Sequence, residues 1–336
     1  MLPFVKVAYL DFVELFVDCV GPFLNIYFLI LLRRTIFHMN LKILLGNFTL
    51  GLCLLTIFRI PLLLHTFYNF LADYSTLKDI LSIAHNSCVI LIMDGTILLA
   101  VERIIATVYA HKYEHSSYTH LTITSAVLLW VFNIGIAYMS QVRMNQSHVA
   151  GGQVVYSEGS MQIPFDLIIL LTLNISSVAI FLVVFFIASY NKRQFRASTP
   201  DHQLTKRFQI SENIRTARQL RKLMIANVII NSYIFITLYF LSLSRIRNFY
   251  TDLITSCYEF VVSLSCVLFP VILIWTHPRL KHTVWKHFAR LGCRNVKIQA
   301  TEQELTQTIN NLPLIVRQDA AKQKELYFDE LQKSWQ

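Results

Sequence analysis

Long apolar runs alternate with short polar segments along almost the whole chain. Seven runs, at 12–32, 43–64, 80–101, 121–139, 164–188, 223–243 and 253–275, approach or exceed the span of about 20 mostly apolar residues that crosses roughly 30 Å of hydrocarbon. Runs of that length are too long for strands and predict membrane-spanning helices. The run at 80–101 is the most interrupted, because His85, Asn86 and Asp94 fall within it. Beyond the last run, "HPRLKHTVWKHFARLGC" places Pro278 at a first helical turn. Leu280, Val284, Trp285, Phe288 and Leu291 recur there at helical spacing, with Lys281, Lys286 and Arg290 on the other faces. Residues 277–293 are therefore predicted to form an amphipathic helix on the inner leaflet, and 294–336 a cytoplasmic tail. No internal repeat or low-complexity linker divides the chain. The fold class expected is an all-α integral membrane bundle of seven helices.

Composition agrees with this reading. Of 336 residues 54% are hydrophobic and only 15% charged, against near 25% charged in soluble domains. The net charge of +10 would fit nucleic acid or a membrane surface, and its distribution decides. Of the 30 Lys and Arg residues, 24 fall in the 33–42, 103–120 and 189–222 loops or after 276. Five fall on the opposite side, and Arg59 lies within a span. Short cytoplasmic loops are enriched in these residues, so the N-terminus is expected outside and the C-terminus inside, with no nucleic-acid partner. Asn145-Gln146-Ser147 is a glycosylation sequon in an expected outer loop. Sequons at Asn47 and Asn174 fall within spans and are expected to be silent. Asp11, Glu14 and Asp18 interrupt the first run, which is expected to remain as a span instead of being cleaved as a signal peptide. Of six cysteines, Cys19, Cys53, Cys88, Cys257 and Cys266 lie in apolar runs, where a thiol behaves as a small hydrophobe. Cys293 is a palmitoylation candidate, the alternative being an unmodified thiol.

Glu102 and Arg103 sit side by side where the third run meets the cytoplasm. Two readings fit. Arg103 is a membrane anchor whose long side chain snorkels to the interface, or it is a switch held by Glu102 at rest and released on activation. Further along, "LTKRFQISENIRTARQLRKLM" sets Leu204, Phe208, Ala217, Leu220 and Met224 on an approximate stripe. Arg215, Arg218 and Lys222 follow on another face, and the pattern runs directly into the sixth span. One long helix is expected to project into the cytoplasm, as a surface for a partner or for anionic membrane lipids.

The string Glu102-Arg103-x-x-Ala106-Thr107, followed by Tyr113-Glu114, resembles the nematode serpentine chemoreceptors of the alpha-like (Sra-like) superfamily. "LTKRFQISENIR" at 204–215, His38-Met39-Asn40-Leu41 and Thr276-His277-Pro278 are also similar to that group, with class epsilon (Sre) the best match over residues 33 to about 290. The resemblance implies a G-protein-coupled receptor fold in the cell membrane of a sensory neuron, an unknown small-molecule or peptide ligand, and a heterotrimeric G protein as partner. It implies that Glu102, Arg103, Tyr113, Glu114, Arg215, Arg218 and Lys222 form the coupling face. The chain departs from rhodopsin-like receptors at Phe269-Pro270-Val271-Ile272-Leu273, which lacks the Asn and Tyr of their Asn-Pro-x-x-Tyr motif. It also has no outer-loop cysteine for their common bridge.

Within such a bundle, His85 and Asn86 lie about 26 Å above Arg103 and are ligand-pocket candidates, the alternative being contacts between helices. Arg59 and Glu259 each lie about 24 Å above the inner ends of the second and seventh spans, which are neighbours in such receptors. Arg59 is expected to pair with Glu259, or with Asp18, because an unpaired charge there is costly. "HKYEH", His111 to His115, matches the spacing of inverted zinc proteases, yet a zinc site needs a third ligand, and no enzyme activity, metal or cofactor is expected. A transporter or ligand-gated channel is the alternative to a receptor, disfavoured by the lack of paired repeats.

Overall fold

Every apolar run forms a helix longer than the run itself, because the flanking polar residues contain few helix breakers. A computed structural model describes residues 2–33, 37–71, 73–108, 119–149, 165–197, 204–243, 249–290, 308–309 and 312–313. The helices are α1 (Leu2–Leu32), α2 (Met39–Tyr68), α3 (Ser75–Val108), α4 (Thr119–Val149), α5 (Phe165–Ala197), α6 (Leu204–Leu243), α7 (Phe249–Thr276) and α8 (Pro278–Arg290). In the tail, β1 (Thr308–Ile309) pairs antiparallel with β2 (Leu312–Pro313).

Among the described residues, six helices are long and apolar enough to cross a membrane: α1 over Tyr9–Leu32, α2, α4 over Thr119–Val142, α5 over Leu167–Ile187, α6 over Leu220–Leu241, and α7. The apolar pattern predicted seven. The helix outside the six is α3, whose apolar run carries His85, Asn86 and Asp94. Its position accounts for that polarity. α3 runs through the middle of the bundle and packs on α2, α4, α5 and α6, while α1 and α7 pack on each other and on α2. A central helix faces protein on most sides and tolerates polar groups that a lipid-facing helix does not.

The bundle's apolar outside and partly polar inside follow from the same logic. Phe16, Phe23 and Phe186 are 65–75% exposed, whereas Asp18, Asn25, Asn133, Asn227 and Asn231 are fully buried. Phe28, Leu31, Leu41, Leu45 and Phe48 fill the inner half, and Phe48 meets Phe269 at 5.5 Å between ring centroids. α2 ends at Asn69, which takes the left-handed conformation (φ 51°) that asparagine tolerates and returns its N–H to the His65 carbonyl. One expectation is altered. α4 continues to Val149, so the Asn145 sequon lies on a helix and not in a loop; the first helix breakers after it are Gly151 and Gly152. α6 is one helix of 40 residues, about 60 Å long, and therefore overruns the membrane by roughly half its length.

Close helix approach occurs where glycine permits it. A Cβ on Gly21 of α1 would stand 2.9 Å from Thr56 Cγ2 of α2, and Thr56 cannot easily yield because its hydroxyl donates to the Cys53 carbonyl at 2.9 Å. Gly135 of α4 has open space around it. Gly21→Ala is expected to lower stability by about 1–3 kcal/mol through overpacking, whereas Gly135→Ala gains up to about 1 kcal/mol of helix propensity. Thermal unfolding of the purified protein in detergent checks both. A Gly21→Ala protein as stable as the original would refute the close approach.

Candidate functional site

Asp11, Glu14 and Asp18 follow one another on α1 at three- and four-residue spacing, which puts them on one face. That face meets α2 and α7. The Arg59 guanidinium of α2 donates from Nε to Glu14 Oε1 at 2.6 Å, and its Nη1 lies 3.6 Å from Glu259 Oε1 of α7. His85 of α3 brings Nε2 to 4.0 Å from Glu259 Oε2, and its Nδ1 lies 3.4 Å from the Asn86 side-chain oxygen. Four helices thus converge on one cluster of charges. Glu14 and Asp18 are completely buried, while Arg59 and Glu259 keep 16% and 17% of their side-chain surface exposed.

The cluster unites residues that the sequence suggested separately. Arg59 does face Glu259, but its tightest partner is Glu14, and among the described residues no ion pair within 4 Å joins it to Asp18. Glu14 had registered only as an interruption of the first apolar run. The usable signal was its four-residue spacing from Asp18, since two carboxylates on one face of a membrane helix call for a cation opposite. His85 had been placed as a ligand contact apart from the ion pair, and Glu259 joins the two. A polar set still lacks hydrogen bonds here: Glu14 Oε2, both Asp18 carboxylate oxygens, His85 Nε2 and Glu259 Oε2 are buried without one.

Beside the cluster, a cavity of about 350 Å³ opens between α2, α3 and α4. Leu54, Phe58, Ile83, Ser87, Trp130 and Ile134 line it, and its walls are almost wholly apolar. Phe58 and Ala84 precede Arg59 and His85, so cavity and charges occupy different faces of the same helix turns.

Below both, polar side chains tie the neighbouring helices to α3. Asn133 donates to Asp94 at 3.3 Å, Asn227 to Thr96 at 3.1 Å and to Ser177 at 3.4 Å, and Asn231 to the Met93 carbonyl at 3.3 Å. Trp130 donates to Asn47 at 2.8 Å. In a bilayer such bonds fix which faces of the helices meet, because hydrocarbon packs against lipid as readily as against protein. Asn47 is thereby occupied inside the bundle.

Toward the C-terminal end of α3, Glu102 and Arg103 are both buried, at 6% and 5% exposure. Arg103 donates from Nε and Nη2 to the two oxygens of Glu102, a bidentate pair between adjacent residues. A guanidinium held this way is not snorkelling to a water interface. Lys222 is exposed on α6; Arg215 and Arg218 belong to the same helix, with their side chains outside the described residues. Tyr113, Glu114, His111 to His115 and Cys293 also lie outside them. α8 is anchored under the bundle: Leu280 is fully buried, His277 packs edge-on against Phe37 with centroids 5.0 Å apart, and His287 shares a 3.0 Å hydrogen bond with Tyr27 of α1.

The family model described as Sre G protein-coupled chemoreceptor matches residues 3–336, nearly the whole chain. That family is one of chemoreceptors and not of enzymes. No curated protein matches the chain.

The outer cluster generates a stability prediction. Arg59→Met and Glu14→Gln each strip a buried charge of its nearest partner and are expected to destabilise the protein. The double variant should lose less than the sum of the two, with a coupling between about 0.5 and 3 kcal/mol. A denaturation cycle on the four proteins in detergent measures it. Strict additivity would show that the two charges do not support each other.

Proposed function

We propose that the chain, which belongs to the Sre G protein-coupled chemoreceptor family, crosses the membrane seven times with its N-terminus outside, detects a chemical cue and signals through a heterotrimeric G protein. In this reading α3 serves as the seventh span, shielded from lipid by the four helices around it. The 24 basic residues in the segments assigned to the cytoplasm give the orientation. Membranes of sensory neurons are the proposed location, and the cue is a small molecule or a peptide.

The observation that carries the signalling part is the buried Glu102–Arg103 pair at the cytoplasmic end of the central helix. A bidentate carboxylate–guanidinium pair is directional and strong for a polar contact. It is also breakable, because both partners regain hydration once the inner face opens. Opening would free Arg103 toward an inner surface formed with Tyr113 and Glu114. On α6, Arg215, Arg218 and Lys222 would add basic groups along the cytoplasmic extension, which suits an acidic or amphipathic partner segment. A cue bound among α1, α2, α3 and α7 reaches this lock through α3, which carries both His85 and Arg103. To move a resting state populated 99:1 to its converse, the cue must favour the open packing by about 10⁴-fold. Weaker preference gives partial activation.

Two measurements test this reading. In a G-protein-linked calcium or cyclic-nucleotide assay against a chemical panel, Arg103→Ala is expected to reduce the response at least tenfold while surface expression persists. An undiminished response removes Arg103 from the switch. Tags fused to the two termini should be accessible from opposite sides of the membrane, and tags reached from the same side would rule out an odd number of crossings.

A further inference from the structure

The cluster sets three carboxylates, those of Glu14, Asp18 and Glu259, around one guanidinium, that of Arg59. Asp18 is completely buried; the Ser263 side chain offers it a hydrogen bond, but neither carboxylate oxygen has a donor at good distance and angle. The second oxygen of Glu14, also completely buried, is in the same condition, and so is Glu259 Oε2 at the exposed rim. His85 Nε2, on a side chain only 5% exposed, points toward Glu259 without reaching it. Buried acceptors without donors are rare in folded proteins, and each calls for a specific explanation. Here the open acceptors share one sign and one location.

We propose that this cluster is the recognition site for an organic cation, a protonated amine whose ammonium group enters beside Asp18 and bonds the open oxygens of Glu14 and Glu259. The proposal rests on the receptor reading and names the class of cue for it. An ammonium group carries three donors and no acceptor, which complements a set of acceptors distributed over two helices. Charge-assisted bonds of this kind are short and about twice as strong as neutral ones. A metal ion suits the site poorly. Hard cations need several oxygens converging at one point, and among the described residues no group of three Asp, Glu, His or Cys side chains is disposed to hold one. Access is from the rim, where Arg59 and Glu259 keep some exposure, and Asp18 lies about 6 Å deeper along α1 than Glu14. The guanidinium stays in place, committed to Glu14 and Glu259.

The test uses the purified full-length protein in lipid nanodiscs and follows its thermal unfolding midpoint. The probes are n-butylammonium and benzylammonium chloride, with n-butanol and with sodium chloride at matched ionic strength as controls. The expected result is a saturable rise of a few degrees with the ammonium salts alone, since a ligand bound only to the folded state raises its stability with concentration. In Asp18→Asn the half-saturating amine concentration should rise at least tenfold. The same variant without amine should unfold at or above the original midpoint, because it removes a buried carboxylate whose oxygens lack well-placed donors. If Asp18→Asn does not fold, Glu259→Gln at the rim should weaken amine binding in its place. An equal rise with sodium chloride, an equal rise with butanol, no rise with any probe, or an unchanged half-saturation in the folded variants would each overturn the proposal. Amine-specific stabilisation without a G-protein response supports the cation site and counts against the signalling reading alone.

Discussion

A guanidinium placed inside an apolar bundle must be met by carboxylates, and the arrangement of α1, α2 and α7 depends on that requirement at Arg59. Its contacts with Glu14 and Glu259 hold α1 and α7 against α2. The contact closes the ring of helices at the seam where the first and last spans meet. Leaving the charge unmatched would cost several kcal/mol, more than most single side-chain contacts return. The glycine at position 21 serves the same seam, since α1 approaches Thr56 of α2 more closely than any side chain would allow.

From this seam the polar interior continues along α3. His85 touches the charged cluster through Glu259, Asp94 and Thr96 hold α4 and α6, and Glu102 and Arg103 pair toward the C-terminal end. Between His85 and Arg103 lie about 27 Å of one continuous helix. The two sets of contacts differ in kind. Near His85, charged side chains from several helices meet. Near the C-terminal end of the helix, two adjacent residues pair with each other.

How much of this was legible in the chain varies with the residue. The helices were, because an apolar run of membrane length has few other uses. Arg59 and Glu259 were legible as charges at equal height, and Glu102-Arg103 as a pair by adjacency. Glu14 was visible as an oddity in the first run, yet nothing in the chain said it would reach Arg59 before Asp18 did. The polar residues of α3 made it look like the weakest span, when they mark the helix that sits in the centre. Asn133 carried little signal as a lone amide in its run, whereas Asn227 and Asn231, four residues apart and so on one face of α6, were a signal the apolar pattern overshadowed.

Sequence by itself determined where the helices run and which chain segments are basic, for crossing hydrocarbon is a property of consecutive residues. Tertiary structure decided which helix occupies the middle, which carboxylate holds Arg59 and which acceptors stay open. Those outcomes depend on the rotation of each helix about its own axis relative to its neighbours. A rotation of one residue's worth of turn, about 100°, would leave every apolar run unchanged and remove Glu14 from Arg59 altogether.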